Sequence, residues 1–183
     1  MDTIKLKDLT FRPYISSEEI AAAVKNVAAR INEDLADKNP LFLCVLNGSF
    51  IFAADLFREI TIPGAEITFI RMKSYIGTQT TGDVQMVSGL TEDISGRTVV
   101  IVEDIVDSGF TLKQLKALLQ ECNPAEIKVA TLLFKPESLK CDVTIDYVAL
   151  DIPPAFIVGY GLDYDNLGRN LKDIYSIVQD WKK

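Results

Sequence analysis

The stretch Val99-Val100-Ile101-Val102-Glu103-Asp104-Ile105-Val106-Asp107-Ser108-Gly109-Phe110-Thr111-Leu112 decides how this chain folds. Its first four residues are β-branched and apolar, the composition of a strand buried on both faces. Three carboxylates and a Ser-Gly turn follow, and Leu112, Leu115, Leu118 and Leu119 then recur at helical spacing. The order is strand, polar turn, helix. At such a helix start the unpaired N–H groups and the positive end of the dipole, with the Ser108 and Thr111 hydroxyls, can hold a terminal phosphate, and Gly109 admits a close backbone approach. Glu103 and Asp104 emerge where the hydrophobic strand ends, as two acceptors for a ribose diol or a hydrated magnesium ion. The plainer reading of the same residues is a helix capped by Asp107 and Ser108 beside a solvated strand end.

The same alternation extends in both directions. Upstream, Ser16 and Glu19 form a capping-box pattern, and Ile20, Val24, Val27, Ile31 and Leu35 keep helical spacing until Lys38-Asn39-Pro40 stops the run. Leu41 to Leu46 reads as a buried strand and Asn47-Gly48-Ser49 as a tight turn. Phe50 to Ile60 reads as a helix ending before Pro63-Gly64. Glu66 to Met72 alternates like a strand toward a sheet edge, and Ser74 to Leu90, with Gly77, Gly82 and Gly89, reads as a mobile loop or loose hairpin. Downstream, Ile127 to Phe134, Val143 to Leu150 and Phe156 to Val158 are further short strands. Alternating helices and fully apolar strands predict an α/β fold, a mostly parallel central sheet flanked by helices, with ligands at the carboxyl ends of the strands.

Composition sets the outer bounds. A length of 183 residues fits one domain with a buried core, and neither an internal repeat nor a linker-like shift divides it. No apolar run approaches the ~18 to 20 residues of a membrane span, and Met1 to Asp8 lacks the hydrophobic segment of a secretory signal. The expectation is a soluble, cytoplasmic protein. There is no histidine, which removes imidazole zinc sites and serine–histidine hydrolysis from consideration. Cys44, Cys122 and Cys141 sit in or beside apolar runs without CxxC spacing and read as small hydrophobes. A formal net charge of −7 opposes nucleic acid as a main partner.

The run of strand, Glu103-Asp104, two apolar residues, Asp107-Ser108-Gly109-Phe110-Thr111 and helix resembles the phosphoribosyl diphosphate signature of the type I phosphoribosyltransferases. Four further segments between Leu43 and Arg169 are similar to the hypoxanthine-guanine branch of that family. The resemblance implies a small hood built from the terminal segments, so that a core of about 16–150 is completed by about 1–15 and 151–183. It implies a 5′-phosphate site at Asp107, Ser108, Gly109, Phe110 and Thr111, and a ribose site at Glu103 and Asp104. Pyrophosphate falls to Asn47, Gly48 and Arg169, where the family's loop often carries a cis peptide. Many relatives have Lys or Arg at the position of Asn47, so a side-chain cation is missing there. The purine falls to Ile105, Lys135, Phe156, Ile157 and Asp163, with Lys135 donating to the 6-oxygen and Phe156 stacking. Magnesium falls to Glu103, Asp104 and Asp163, the last matching the carboxylate of a second magnesium site.

The activity so implied is transfer of 5-phosphoribosyl from phosphoribosyl diphosphate to N9 of hypoxanthine or guanine, giving IMP or GMP and pyrophosphate. Asp107 is then the group that takes or holds the N7 proton. Arg71, Lys73, Ser74 and Tyr75 match the family's catalytic loop, in which the Ser74-Tyr75 pair closes over the reaction centre. The family also implies a homodimer or homotetramer. Two other readings use the same signature: a phosphoribosyl-diphosphate sensor that binds nucleic acid, and a sister enzyme for adenine, orotate or uracil.

Overall fold

In order along the chain, the elements are β1 (Ile4–Leu6), β2 (Leu9–Ile15), α1 (Ser17–Asp34), β3 (Leu41–Leu46), α2 (Phe50–Glu59), β4 (Glu66–Ser74) and β5 (Val84–Ser88). Then come β6 (Thr98–Val106), α3 (Phe110–Gln120), β7 (Glu126–Phe134), a 3-10 turn at Pro136–Ser138, β8 (Tyr147–Asp151), β9 (Ile157–Val158) and β10 (Ile174–Ile177). They are taken from a computed structural model, which describes residues 3–74, 84–88 and 90–178.

The central sheet has the order β5-β4-β3-β6-β7-β8; its last five strands run parallel, and β5 pairs antiparallel with β4. The apolar runs explain the middle of this order. Leu41 to Cys44 and Val99 to Val102 are buried on both sides, as strands covered by helices on two faces must be. Alternate residues supply two cores. Phe42, Cys44, Val100 and Val102 pack with α1 and α2, while Leu41, Leu43, Val99 and Ile101 pack with Leu112, Leu115 and Leu119 of α3. The expected capping box starts α1: the Glu19 N–H donates to Ser16 Oγ at 3.2 Å, and the Ser16 N–H donates to Glu19 Oε2 at 2.9 Å.

Several boundaries differ from the sequence reading. Strand β6 continues through Glu103 and Asp104 to Val106. Its ladder with β3 ends at Cys44 and Val102, but its ladder with β7 runs on to Val106 and Phe134. The carboxylates therefore stand within a strand that has one free edge. Strand β8 begins only at Tyr147. Val143 and Ile145 pack instead against the α3-side core, and Asp146 accepts the Val129 N–H at 2.9 Å. Ile157 and Val158 leave the central sheet altogether. They join a second, antiparallel sheet of order β1-β2-β10-β9, built from the two terminal segments. Propensity conceals β2 because it contains Pro13, which sits beside a register shift in the pairing with β10.

In the Ser74 to Leu90 segment, Lys73 pairs with Gln85 and Ser74 with Val84, so the described part is the two arms of a hairpin. Residues 75–83 and 89 lie outside the described residues. Cys44 is buried and Cys141 half-buried, but Cys122 is exposed in the turn after α3, contrary to its reading as a small hydrophobe. Among the described residues, no helix is long and apolar enough to cross a membrane.

Candidate active site

The turn after β6 enters α3 through Gly109, whose φ of +81° is the left-handed conformation that favours glycine. A Cβ there would lie 2.7 Å from Leu139 Cδ1 and 2.9 Å from Cys141 Sγ, so the turn rests directly on the segment after β7. The Lys140 N–H donates to the Ser108 carbonyl at 3.0 Å and holds it in place. No side chain caps α3, and its first turn carries no acidic residue. Its amide end is therefore unopposed for an anion. Glu103, Ile105, Val106, Asp107, Ser108, Gly109, Thr111 and Leu112 line a cavity of about 120 Å³ at this point.

Glu103 is 7% exposed, and burial, reinforced by Asp104, holds its carboxyl well above the usual range. Burial also pushes the Asp104 carboxyl up to about 6. The Ile105 N–H, donating at 2.9 Å, and the Arg169 charge pull it down, while Asp163 pushes it further up. The Asp104 carboxylate lies against Gly48, where any Cβ would overlap it. The Gly48 carbonyl in turn lies against Gly161, which has φ of +100°. Arg169 closes this chain of contacts, donating at 2.7 Å to the Gly161 carbonyl and at 2.7 Å to Asp163 Oδ1. The loop that carries Gly48 is tied by Ser49, whose hydroxyl donates to the Val45 carbonyl at 2.6 Å. The Leu46–Asn47 peptide is cis, and Asn47 is exposed.

Lys135 follows β7 and is 8% exposed, and its Nζ lies 2.7 Å from Asp107 Oδ2. Phe156 is 44% exposed, with the Tyr164 ring edge-on at 5.7 Å and the buried Phe11 ring at 6.0 Å. Ile157 is buried in β9, and Ile105 is half-buried in β6. Phe110 and Thr111 are exposed on the first turn of α3.

The structure thus brings Asp107, Ser108, Gly109 and Thr111 to one cavity, with Phe110 exposed and not among its lining residues, and joins Gly48, Asp104, Asp163 and Arg169 through contacts. It does not form a cage from Glu103, Asp104 and Asp163. Among the described residues, no three of His, Cys, Asp and Glu are arranged to hold a metal. Neighbours in a strand point to opposite faces, and the Asp163 carboxylate is taken by Arg169 and by the Asn166 N–H at 2.7 Å. Of Ser74 only the backbone is described, and Tyr75 lies outside the described residues. Gly161, Phe11 and Tyr164 carry no role in the sequence reading; the Gly159-Tyr160-Gly161 spacing is the one local signal for the first.

The family described as phosphoribosyl transferase domain matches residues 15–165. The hypoxanthine-guanine phosphoribosyltransferase of Streptococcus pneumoniae is 42% identical over 167 residues, 91% of this chain and 92% of that protein. A solved hypoxanthine phosphoribosyltransferase of Staphylococcus aureus superposes with a TM-score of 0.87 at 36% identity, covering 91% of each chain. A hypoxanthine phosphoribosyl transferase of Trypanosoma cruzi gives the same TM-score of 0.87 and identity of 36%, covering 96% of this chain and 95% of that one.

Proposed function

This chain belongs to the phosphoribosyl transferase domain family, and from that we infer that it is a purine-salvage enzyme. It transfers 5-phosphoribosyl from phosphoribosyl diphosphate to N9 of hypoxanthine and guanine, releasing IMP or GMP and pyrophosphate. The observation that carries this reading is the uncapped start of α3 opening on one cavity with Glu103 and Asp107, the latter paired with Lys135.

The amides and hydroxyls of Ser108 to Thr111 bind the 5′-phosphate. Glu103 and Asp104 accept from the ribose hydroxyls, and Gly48 with Arg169 receives the pyrophosphate. Lys135 donates to the purine 6-oxygen. An ammonium has no acceptor for the amino group that adenine carries at that place, so an oxo-purine is preferred. Phe156 stacks on the base, and the half-buried Ile105 and the Ile157 backbone flank it. Asp107 takes or holds the N7 proton as N9 reaches the ribose carbon.

Magnesium suits this donor set. The carboxylates offer oxygen alone, and the ion is ordinarily held by one or two carboxylates together with substrate phosphates rather than by an all-protein cage. Asp104 is the residue best placed to hold it, with Glu103 and Asp163 adjoining. When bound, the ion neutralises charge on the departing pyrophosphate.

The reading takes the chain as one domain, a core of about 16–150 with a hood of about 1–15 and 151–183. It acts in the cytoplasm as a homo-oligomer. The sensor reading is not favoured, since a net charge of −7 opposes a polyanion. The test is to mix protein, magnesium and phosphoribosyl diphosphate with each purine separately and to follow nucleotide and pyrophosphate. Both products with hypoxanthine and guanine are expected. Silence with every purine overturns the assignment, and silence with orotate and uracil as well favours the sensor.

A further inference from the structure

The aromatic ring read as the purine's stacking partner is not held by its own strand. Phe156 precedes β9, follows Pro153 and Pro154, and is 44% exposed. A ring so placed loses rotamer freedom when it stacks unless something already fixes it. Two rings do so. The Tyr164 ring stands edge-on to Phe156, at 5.7 Å between centroids and 89° between planes. Phe11, fully buried in β2, lies 6.0 Å from Phe156 and 6.4 Å from Tyr164.

Tyr164 is in turn fixed at both ends. Its backbone exchanges hydrogen bonds with Leu167 at 2.9 and 3.0 Å, and its hydroxyl donates to Asp8 Oδ1 at 2.8 Å across 156 residues of sequence. Lys7, next to Asp8, pairs with Asp165, next to Tyr164. The turn between β1 and β2 is thereby latched onto the segment that carries Asp163.

We propose that Tyr164 is a positioning residue for the purine: its ring sets the plane of Phe156, and Asp8, through the Tyr164 hydroxyl, sets that ring. Tyr164 acts through Phe156 and not by touching the base. The inference rests on Phe156 as the stacking residue. An edge-to-face pair that is pre-formed spares the base the cost of ordering its own platform, and the benefit appears in base binding alone.

Steady-state kinetics of the full chain, varying hypoxanthine and phosphoribosyl diphosphate in turn, test this. Tyr164→Leu, which fills the space without a ring, raises the KM for hypoxanthine about 2- to 12-fold, the range that an aromatic pair contributes. That rise exceeds any change in the KM for phosphoribosyl diphosphate. Tyr164→Phe keeps the ring and recovers most of the loss, and Asp8→Asn falls between Tyr164→Phe and Tyr164→Leu. Equal effects on both KM values mean a merely structural role and overturn the proposal, as does Tyr164→Phe proving as damaging as Tyr164→Leu. Phe156→Ala separates the two levels. If it raises the hypoxanthine KM while Tyr164→Leu does not, the positioning role fails alone; if Phe156→Ala has no effect, the base site itself has been misplaced.

Discussion

The Lys135 ammonium lies 2.7 Å from Asp107 Oδ2, joining the end of β7 to the turn that follows β6. Parallel pairing of Val106 with Phe134, one residue before each, brings the two side chains to the same place although 28 residues separate them. The Lys135 side chain is 10% exposed and the Asp107 side chain 53%, so the cation is enclosed and the carboxylate faces the cavity. Two groups assigned to neighbouring atoms on one edge of the purine, its 6-oxygen and N7, are held as one pair before any base arrives.

Asp107→Asn is expected to retain phosphoribosyl diphosphate binding and to slow nucleotide formation by roughly 10²-fold or more, the lower range for acid–base groups. Single-turnover rates read the effect directly. A rate equal to the wild type removes Asp107 from proton handling.

Lys135→Ala should raise the KM for hypoxanthine far more than that for phosphoribosyl diphosphate. Because Lys135 and Asp107 touch, the loss in kcat/KM for the double variant should be smaller than the two single losses combined. Strict additivity in that cycle would mean that the pair has no energetic consequence.

Asp104 predicts a pH dependence of stability. Its carboxyl rises from 3.8 to about 6 in the folded protein, chiefly through burial, so the native state keeps a proton that the unfolded chain has already released. Stability therefore falls as pH rises from 3.8 to about 6 and this contribution is level above that. Asp104→Asn cannot ionise. In denaturant titrations without ligand, its stability relative to the wild type should improve across that window. A constant difference between the two proteins contradicts the shift.

Gly48→Ala places a Cβ on the Asp104 carboxylate, and one of the two must move. A displacement of about 1 Å at a reacting site can cost on the order of 10²-fold. The expected result is a drop of that order in kcat/KM for phosphoribosyl diphosphate. Wild-type kinetics would show that the loop yields freely.

Ser16→Ala removes the side-chain half of the α1 capping box. About 1 kcal/mol of stability should be lost, measured by chemical denaturation, with the KM values unmoved because Ser16 has no part in the assigned substrate contacts. A change in substrate KM would contradict that separation.

Much of this was legible beforehand, for stated reasons. The two apolar runs at Leu41 to Leu46 and Val99 to Val102 could only be central parallel strands, and Ser16 with Glu19 marked the start of α1. What escaped was whatever depended on a distant partner. The extension of β6 to Val106 is imposed by β7, since polar Glu103 and Asp104 have no strand propensity of their own. Strand β2 hides behind Pro13, and Ile157 with Val158 shows nothing locally to say which sheet it joins.

The sequence alone determined the layered α/β architecture and the strand-turn-helix at Glu103 to Leu112, because hydrophobic period, glycine and capping chemistry act over a few neighbouring residues. Only the tertiary structure decided that the Gly48 carbonyl meets Gly161, that Lys135 reaches Asp107, and that Asp8 holds Tyr164. Those contacts join residues 113, 28 and 156 positions apart, counting from 48 to 161 for the first. Packing of the sheets fixes such distances, and no local pattern in the chain encodes them.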